Sequence, residues 1–494
     1  MHVALIDPYY LAGNSPPSWV LGNLEAMLLE AGHQVIVRDF CGDDEAFSSL
    51  ADFRRHEAAF ATSVADAAAA CDVIYFTTSF GVPQKPTPIL ARIGRLLEYV
   101  RERAPNVPII IGGAQIDYLT VHGAAPSAVM GDHARGVVSF LTSDAQLVDC
   151  IATLDQRKSL NAGREIRILR DNAGRRVGAT PPWPADALPK PEWAGWQLER
   201  YPSYRAALTS FGCRYGCSFC FESKQTFQAL DMHRMLSGFL DTGVTQLAIE
   251  DSTLFGAHGL DNVVHVLEGL HPRGRYTCYA LVAEVCRASP ETLMRLRELG
   301  LESVILGIET PDDVALRGYK KSVTQERAKL AVDKLHSAGL TAQGCLMVGI
   351  PNVDLDTTRY TFEYARYLSL DVRRWHIFQP SFATMPHQIV TSEPVSIERF
   401  ALVDVNVPDA LLPELVETAS VETLLEEHFL VRALAHMSES PEVLERVRYA
   451  AGYSLRDLYA TMLNELRGSQ ASFNEEDYYA VLSNAHAGPG ELRV

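Results

Sequence analysis

Three cysteines in one short segment are the residues of this sequence best suited to chemistry. Cys213, Cys217 and Cys220 are separated by three and then two residues, so one loop can fold all three thiols around one metal centre. Three thiolates can bind three irons of a [4Fe–4S] cluster and leave the fourth iron open to a substrate or cofactor. The alternatives are a zinc site, which needs a fourth ligand such as His233, and three ordinary small core side chains.

The same segment resembles the signature of the radical S-adenosylmethionine (SAM) enzymes. That signature is Cys-x3-Cys-x2-Cys with an aromatic residue just before the last cysteine, and Phe219 occupies that place. The resemblance implies that the three thiolates hold a [4Fe–4S] cluster whose open iron binds SAM. It also implies that reduction of SAM yields a 5′-deoxyadenosyl radical, with an electron donor such as flavodoxin or ferredoxin as a partner.

Residues 1–150 alternate short apolar runs with amphipathic stretches. This pattern predicts a Rossmann-like, doubly wound parallel sheet with helices on both faces. Its strands are expected at His2–Ile6, Gln34–Asp39, Asp72–Thr78, Val107–Ile111 and Ala128–Met130. Ligands bind such sheets beyond the carboxyl ends of the strands. The candidate contacts after the third and fourth strands are Thr77, Thr78, Ser79, Gly112, Gly113, Ala114 and Gln115. The two glycines would let a bulky ligand approach the backbone, although a tight turn also explains them.

Taken with the cysteine segment, this region is similar to the cobalamin-binding domain of many radical SAM enzymes, which implies cobalamin as a second cofactor. The wider cobalamin family carries Asp-x-His-x-x-Gly in its first loop, and the histidine ligates cobalt. The corresponding loop here begins Asp7-Pro-Tyr-Tyr and contains no histidine. We therefore expect a cobalt without a lower ligand from the protein. Asp132-His133 is interpreted as a helix N-cap followed by a surface histidine.

The remainder of the chain divides into three parts. Residues 151–204 are predicted to be a linker, because five prolines between Thr180 and Pro191 prevent regular structure. Residues 205–389 repeat a strand–helix unit at spacings that suit a partial (β/α)6, TIM-like barrel. The cysteine segment follows its first strand, on the rim where barrel enzymes place their active sites. Residues 390–494 are predicted to form a C-terminal helical domain.

Polar side chains end other predicted strands of the barrel. Glu250 and Asp251 follow the second strand, and Glu309 ends the fourth. By the resemblance, Glu309 contacts the ribose or amino group of SAM, and Glu250 lies near its methionyl end. Glu250-Asp251 replaces the Gly-Gly-Glu usual in the family, so Asp251 is expected to face the substrate as a catalytic residue. The residues expected to border the adenine are Phe219, Val348 and Gln379. Taken singly, a carboxylate after a strand is more often a helix N-cap.

Composition limits the class of partner. The net charge of −17 argues against nucleic acid, which needs a basic face on the protein. The nine cysteines do not form a disulfide-like pattern. No signal peptide is recognisable, and no apolar run approaches the ~20 residues that span a bilayer. We expect a cytoplasmic protein that acts on a small molecule and not at a membrane.

The two cofactors together favour methylation of an unactivated carbon, or of phosphorus, in a small metabolite or natural-product intermediate. By the resemblance, methylcobalamin donates the methyl group and the 5′-deoxyadenosyl radical activates the substrate. The alternative is a cyclisation, ring contraction or rearrangement without methyl transfer. Methylthiotransferase activity would need a second cluster on three N-terminal cysteines, but Cys41, Cys71 and Cys150 lie far apart in the sequence. A non-enzymatic sensor of cobalamin or redox state would not need the SAM pocket.

Overall fold

The computed structural model describes residues 1–9, 18–40, 50–79, 89–121, 125–157, 167–168, 204–220, 222–224, 227–240, 245–272, 274–348, 360–361 and 364–377. The predicted C-terminal helical domain and most of the predicted linker lie outside the described residues. No helix within the described ranges is both long enough and apolar enough to cross a membrane.

The first of two parallel sheets contains the N-terminal strands in the order β2-β1-β3-β4-β5-β6. The strands are β1 (His2–Asp7), β2 (Gln34–Asp39), β3 (Val73–Thr77), β4 (Ile109–Gly112), β5 (Val137–Leu141) and β6 (Arg167–Ile168). The helices are α1 (Trp19–Glu30), α2 (Leu50–Ala70), α3 (Leu90–Arg103), α4 (Ala114–Val121), α5 (Pro126–Met130) and α6 (Leu147–Arg157). Every neighbouring pair of strands is parallel, so the predicted doubly wound sheet is confirmed.

The fifth strand lies elsewhere than the sequence predicts. Residues Ala128–Met130 belong to the short helix α5, and the strand is β5, nine residues further along the chain. Pro126 begins the helix, where its fixed φ suits the first turn and its missing N–H is not needed. An apolar run this short has no period that separates helix from strand. Consequently Asp132 and His133 precede the fifth strand, in a 3₁₀ turn.

The first sheet also extends beyond the predicted boundary at residue 150. Helix α6 spans that position, and β6 pairs with β5 through Ser139 with Arg167 and Phe140 with Ile168. The N-terminal sheet therefore reaches at least to Ile168, inside the segment predicted to be a linker.

The second sheet is the predicted barrel, with the order β14-β13-β12-β11-β10-β7 and parallel pairing throughout. The strands are β7 (Tyr204–Ala207), β10 (Gln246–Ile249), β11 (Arg275–Ala280), β12 (Leu301–Glu309), β13 (Thr341–Val348) and β14 (Val372–Ile377). The helices between them include α7 (Met232–Leu240), α8 (Leu254–His258), α9 (Leu260–Leu270), α10 (Val282–Arg287), α11 (Pro290–Glu298), α12 (Asp313–Gly318) and α13 (Gln325–Ser337). Strands consecutive in sequence are neighbours in space, as in a partial (β/α)6 barrel, and the predicted parallel architecture is confirmed.

One hydrophobic core joins the two sheets. Trp19, the first residue of α1, is fully buried and packs edge-to-face on Phe211 with ring centroids 5.9 Å apart. Buried residues of both sheets, such as Leu5 and Ile249, belong to the same core. Helix α1 begins on the carboxyl side of the first sheet, and Phe211 lies beyond the carboxyl end of β7. The Trp19–Phe211 contact therefore connects the ligand-binding edges of the two sheets.

Replacing Trp19 by Ala is expected to lower the free energy of unfolding by about 3–5 kcal/mol, because a large fully buried side chain is removed. Equilibrium denaturation in urea measures the change. Leu29→Ala is the matched control on the same helix, since Leu29 is 49% exposed and its removal should cost no more than about 0.5 kcal/mol. Equal small losses for both variants would contradict the shared core.

Candidate active site

The cysteine segment forms a loop closed at its base by a small antiparallel ladder between β8 (Ser210–Phe211) and β9 (Gln228–Ala229). The Ser223 hydroxyl donates to the carbonyl oxygens of Cys217 and Cys220, both at 2.7 Å. The backbone N–H of Ser218 donates to the carbonyl of Tyr319 at 2.9 Å. The loop is thus held both internally and against the turn after α12.

The three thiols share one electrostatic environment. Burial raises the pKa of each, that of Cys220 to about 12. Cys217 further raises the pKa of Cys213 and of Cys220, whereas the ammonium of Lys321 lowers the pKa of all three. Burial thus disfavours the thiolate form of all three cysteines, and the ammonium of Lys321 partly offsets this effect.

The donor set fits a [4Fe–4S] cluster with one iron lacking a protein ligand. His233, the fourth ligand that a zinc site would need, has an exposed side chain on α7. Within the described ranges, no three Cys, His, Asp or Glu side chains are already arranged as a metal site.

A buried ion pair lies beside the loop. The Nζ of Lys321 donates to the Oε1 of Glu309 at 2.7 Å, and the two side chains are only 8% and 9% exposed. The same Nζ lies 5.8 Å from the ring centroid of Phe219, which packs edge-to-face on Tyr319. The ion pair therefore connects the carboxyl end of β12 to the aromatic residue that precedes the last cysteine.

The backbone around this ion pair leaves little freedom. Glu309 has a φ of 72°, in the left-handed region, where the pairing of β12 with β13 shifts register. A Cβ on Gly307 would lie 2.5 Å from the Nζ of Lys321 and 2.8 Å from the Oε1 of Glu309, so a side chain there would displace the ion pair. Burial lowers the pKa of Lys321, whereas Glu309 and Cys217 raise it, and the net shift is upward.

Asp251 lies beneath the loop, which differs from the substrate-facing position that the sequence predicts. It is fully buried, and its Oδ1 accepts from the N–H groups of Thr209, at 2.6 Å, and Ser210, at 3.2 Å. Its Oδ2 accepts from the hydroxyls of the same two residues, at 2.6 and 2.8 Å. With both oxygens occupied by the strand that leads into the cysteine loop, Asp251 positions the loop and does not face a substrate.

The other predicted SAM contacts are Glu250, Val348 and Gln379. The N–H of Glu250 donates to the carbonyl of Ala207 on the neighbouring strand. Burial raises the pKa of Tyr204, and the carboxylate of Glu250 raises it further. Val348 ends β13, but its side chain and the whole of Gln379 lie outside the described residues.

A further anchor of the loop, Glu284, was missed by the sequence reasoning. Its Oε1 accepts from the hydroxyl of Tyr215, inside the cysteine loop, at 2.8 Å. Its Oε2 accepts from the hydroxyl of Thr253 and from the N–H of Leu281, at 3.0 Å. A glutamate in the first turn of a helix that follows a strand is the signal that could have found it.

At the edge of the first sheet, Asp144 connects the two loops predicted to contact cobalamin. It is fully buried and accepts from the hydroxyls of Tyr75 at 2.6 Å, Thr77 at 2.7 Å and Ser79 at 2.6 Å. The Ser79 hydroxyl in turn accepts from the N–H of Ala114 at 2.9 Å. One buried carboxylate, not recognised in the sequence, therefore holds the end of β3 against the start of α4.

Thr78 and Gln115 complete the same edge. The Thr78 hydroxyl donates to the carbonyl of Gly112 at 2.8 Å and accepts from the N–H of Gln115 at 3.2 Å. The side-chain oxygen of Gln115 accepts from the N–H of Ile89 at 3.2 Å. Both side chains are fully buried and bond to the protein's own backbone.

The two glycines make room for these internal contacts. Gly113 has a φ of 107°, and a Cβ there would lie 2.5 Å from the Ser79 hydroxyl and 2.9 Å from Asp144. A Cβ on Gly112 would lie 2.6 Å from the hydroxyl of Tyr75. The packing of the loop itself requires both glycines, whatever ligand lies against it.

Tyr9 occupies the place of the histidine in the Asp-x-His motif, two residues after Asp7. Its N–H donates to the carboxylate of Asp7 at 3.0 Å. Burial and the neighbouring carboxylate of Asp39 raise the pKa of Asp7 well above its ordinary value. The described part of this loop thus offers a tyrosine and a buried acid where the motif has a cobalt ligand.

Comparison with known proteins supports the reading of the geometry. Residues 208–365 match the family model of the Radical SAM superfamily. The chain is 20% identical over 391 residues to an uncharacterized methyltransferase of Pyrococcus horikoshii, covering 75% of this chain and 77% of that protein. It is 21% identical over 405 residues to the anaerobic magnesium-protoporphyrin IX monomethyl ester cyclase of Cereibacter sphaeroides, covering 77% and 62%.

Two solved structures show the same fold. The radical SAM methyltransferase TsrM from Kitasatospora setae, with cobalamin and a [4Fe–4S] cluster bound, has a TM-score of 0.53 at 14% identity and covers 95% of this chain and 99% of that one. The cobalamin-dependent SAM radical enzyme OxsB, with aqua-cobalamin and SAM bound, has a TM-score of 0.53 at 12% identity and covers 100% and 84%. The match of residues 208–365 confirms the radical SAM part of the resemblance, and the two structures show a shared fold.

Replacing Asp251 by Ala is expected to lower the free energy of unfolding by at least about 2 kcal/mol, because buried donors of Thr209 and Ser210 lose their acceptor. Iron retained after anaerobic reconstitution should fall in parallel. Asp155→Ala, at an exposed position of α6, is the control and should change neither quantity. A stable Asp251→Ala variant with full iron content and no activity would instead support a catalytic role.

Proposed function

We propose that the chain, whose residues 208–365 match the Radical SAM superfamily, is a cobalamin-dependent radical SAM enzyme. It methylates an unactivated carbon, or a phosphorus, of a small metabolite or natural-product intermediate. The observation that carries this proposal is the packing of Trp19 on Phe211. That contact joins the carboxyl edges of the two sheets, where a cobalamin and a SAM molecule would belong to one active site.

The proposal assigns one role to each part of the chain. We assign cobalamin binding to the first sheet, radical chemistry to the barrel, and substrate selection to residues 390–494. TsrM and OxsB, which share the fold, were solved with cobalamin bound. One relative is named a methyltransferase, and TsrM has also been solved with its substrate tryptophan, in line with a small-molecule substrate here.

Each cofactor has a defined set of residues. Cys213, Cys217 and Cys220 would hold the cluster, and Glu309 would accept a hydrogen bond from SAM. The loops at 77–79 and 112–115 would form the surface that contacts cobalamin, and Asp144 fixes the position of the first of them. When bound, the cluster supplies the electron that cleaves SAM, and cobalamin supplies the methyl group. A flavodoxin or ferredoxin would deliver the electron from outside the chain.

The residues of the chain contribute mainly by placement. Asp251 and Glu284 hold the base and the middle of the cysteine loop, and Trp19 holds the first sheet against that base. Bringing the reacting groups into line is the contribution of the protein when cofactors carry the chemistry. A second candidate function, radical cyclisation or rearrangement without methyl transfer, is favoured by the relative that is a cyclase.

The two candidates differ in one product of SAM. The reconstituted enzyme, given SAM and titanium(III) citrate but no substrate, is expected to form about one S-adenosylhomocysteine per bound cobalamin, because methyl transfer loads the cofactor once. Liquid chromatography with mass spectrometry measures it. Enzyme reconstituted without cobalamin is the control and should form none. S-adenosylhomocysteine absent from the loaded enzyme, with 5′-deoxyadenosine formed, would refute methylation and favour rearrangement.

The same assay tests the cluster ligands. Cys217→Ala should abolish formation of 5′-deoxyadenosine, since a cluster ligand is lost. Cys71→Ala, a half-buried cysteine outside the loop, should leave it unchanged. Equal yields from both variants would contradict the assignment of the cysteine loop.

A further inference from the structure

We propose that Lys321 is a positioning residue of this active site: it holds Glu309 in the orientation that meets SAM, and it places a positive charge beside the cluster loop. The inference rests on the proposed function, because it concerns the same SAM and cluster site. It assigns a role to a side chain that bonds to Glu309 and lies 5.8 Å from the ring of Phe219, two residues expected to border SAM.

Lys321 is held in place by its backbone. Its N–H donates to the carbonyl of Leu316 at 2.8 Å, and Lys320 adopts a φ of 58°, so the turn ends α12 as a left-handed C-cap. The same turn reaches the cysteine loop through the hydrogen bond from Ser218 to Tyr319. These backbone hydrogen bonds fix the turn that carries Lys321 relative to the cysteine loop.

The ion pair leaves one carboxylate oxygen of Glu309 for a ligand. Lys321 bonds to Oε1, and among the described residues Oε2 of Glu309 has no hydrogen-bond donor. Ribose hydroxyls and an ammonium group are donors, and hydrogen bonds to an ionised acceptor are the strong ones. The ion pair occupies the space above Gly307, where a Cβ would lie 2.5 Å from the Nζ of Lys321 and 2.8 Å from the Oε1 of Glu309. Removing Lys321 would leave a buried carboxylate unpaired and free to turn away.

The charge of Lys321 acts on the cluster loop at short range. Its Nζ lies 5.8 Å from the ring of Phe219, the residue before Cys220. One-electron reduction of a cluster adds a negative charge, which a nearby buried cation stabilises and a nearby carboxylate opposes. Lys321 and Glu309 should therefore shift the reduction equilibrium in opposite directions. A purely structural role would not produce opposite signs.

The experiment compares five forms of the holoenzyme with the wild type after anaerobic reconstitution. They are Lys321→Met, Lys321→Arg, Glu309→Gln, the Lys321→Met/Glu309→Gln double variant, and Lys320→Met as the matched control at the neighbouring, exposed lysine. Calorimetry measures the dissociation constant of SAM. A redox titration followed by electron paramagnetic resonance measures the midpoint potential of the cluster.

Lys321→Met is expected to weaken SAM binding at least about tenfold, because Glu309 loses the charge-assisted hydrogen bond that orients it. It should also disfavour reduction about tenfold, a shift of about 59 mV to lower potential. Glu309→Gln should shift the potential upward, and the double variant should return it close to the wild-type value. Lys321→Arg should restore both quantities to within about threefold, and Lys320→Met should change neither.

The outcomes separate this inference from the proposed function. A wild-type protein that holds no cluster or binds no SAM would overturn both. A loaded wild type whose Lys321→Met variant matches Lys320→Met in affinity and potential would overturn the inference alone. If Lys321→Met fails to fold, Glu309→Gln and Lys321→Arg decide the question. A Glu309→Gln variant with the wild-type potential would contradict the role of the ion pair. A Lys321→Arg variant that binds SAM much more weakly than the wild type would contradict it as well.

Discussion

The arrangement of the active site depends on the hydrogen bonds between Asp251 and the strand that leads into the cysteine loop. Three thiols on a loop can receive a cluster only if the loop starts from a fixed place, and Thr209 and Ser210 supply that place through four bonds to one buried carboxylate. Glu284 and Glu309 are likewise buried carboxylates that accept hydrogen bonds near the ends of other barrel strands, Glu284 from Tyr215 and Glu309 from Lys321. Buried carboxylates are costly unless fully paired, so each of these interactions strongly favours one local geometry.

The same principle operates in the N-terminal sheet. Asp144 accepts hydrogen bonds from three hydroxyls on β3 and the residues just after it. Close packing around these groups requires the glycines of the loop after β4. Trp19 then joins this edge to the residue two positions before Cys213. The two proposed cofactor sites would thus be built from separate sheets, and one continuous hydrophobic core joins those sheets.

The sequence predicted what depends on repeated local patterns and missed what depends on distant partners. Both parallel sheets were predictable because apolar runs recur at βα spacing, and the cysteine loop because its spacing is local. The strand at Val137–Leu141 was misplaced because a three-residue apolar run has no readable period. The sequence pattern of a carboxylate after a strand is the same whether the side chain is buried or faces a ligand, so the buried position of Asp251 was not predictable. Likewise, Asp144 finds its partners more than sixty residues away.

The central claim is that one chain holds both a [4Fe–4S] cluster and a cobalamin. Its most direct test is the iron and cobalt content after anaerobic reconstitution with iron, sulfide and hydroxocobalamin, read by elemental analysis and the visible spectrum. We predict about four irons and about one cobalt per chain. Iron without cobalt would contradict the assignment of the N-terminal sheet and with it the methyl transfer. Cobalt without iron would contradict the assignment of the cysteine loop.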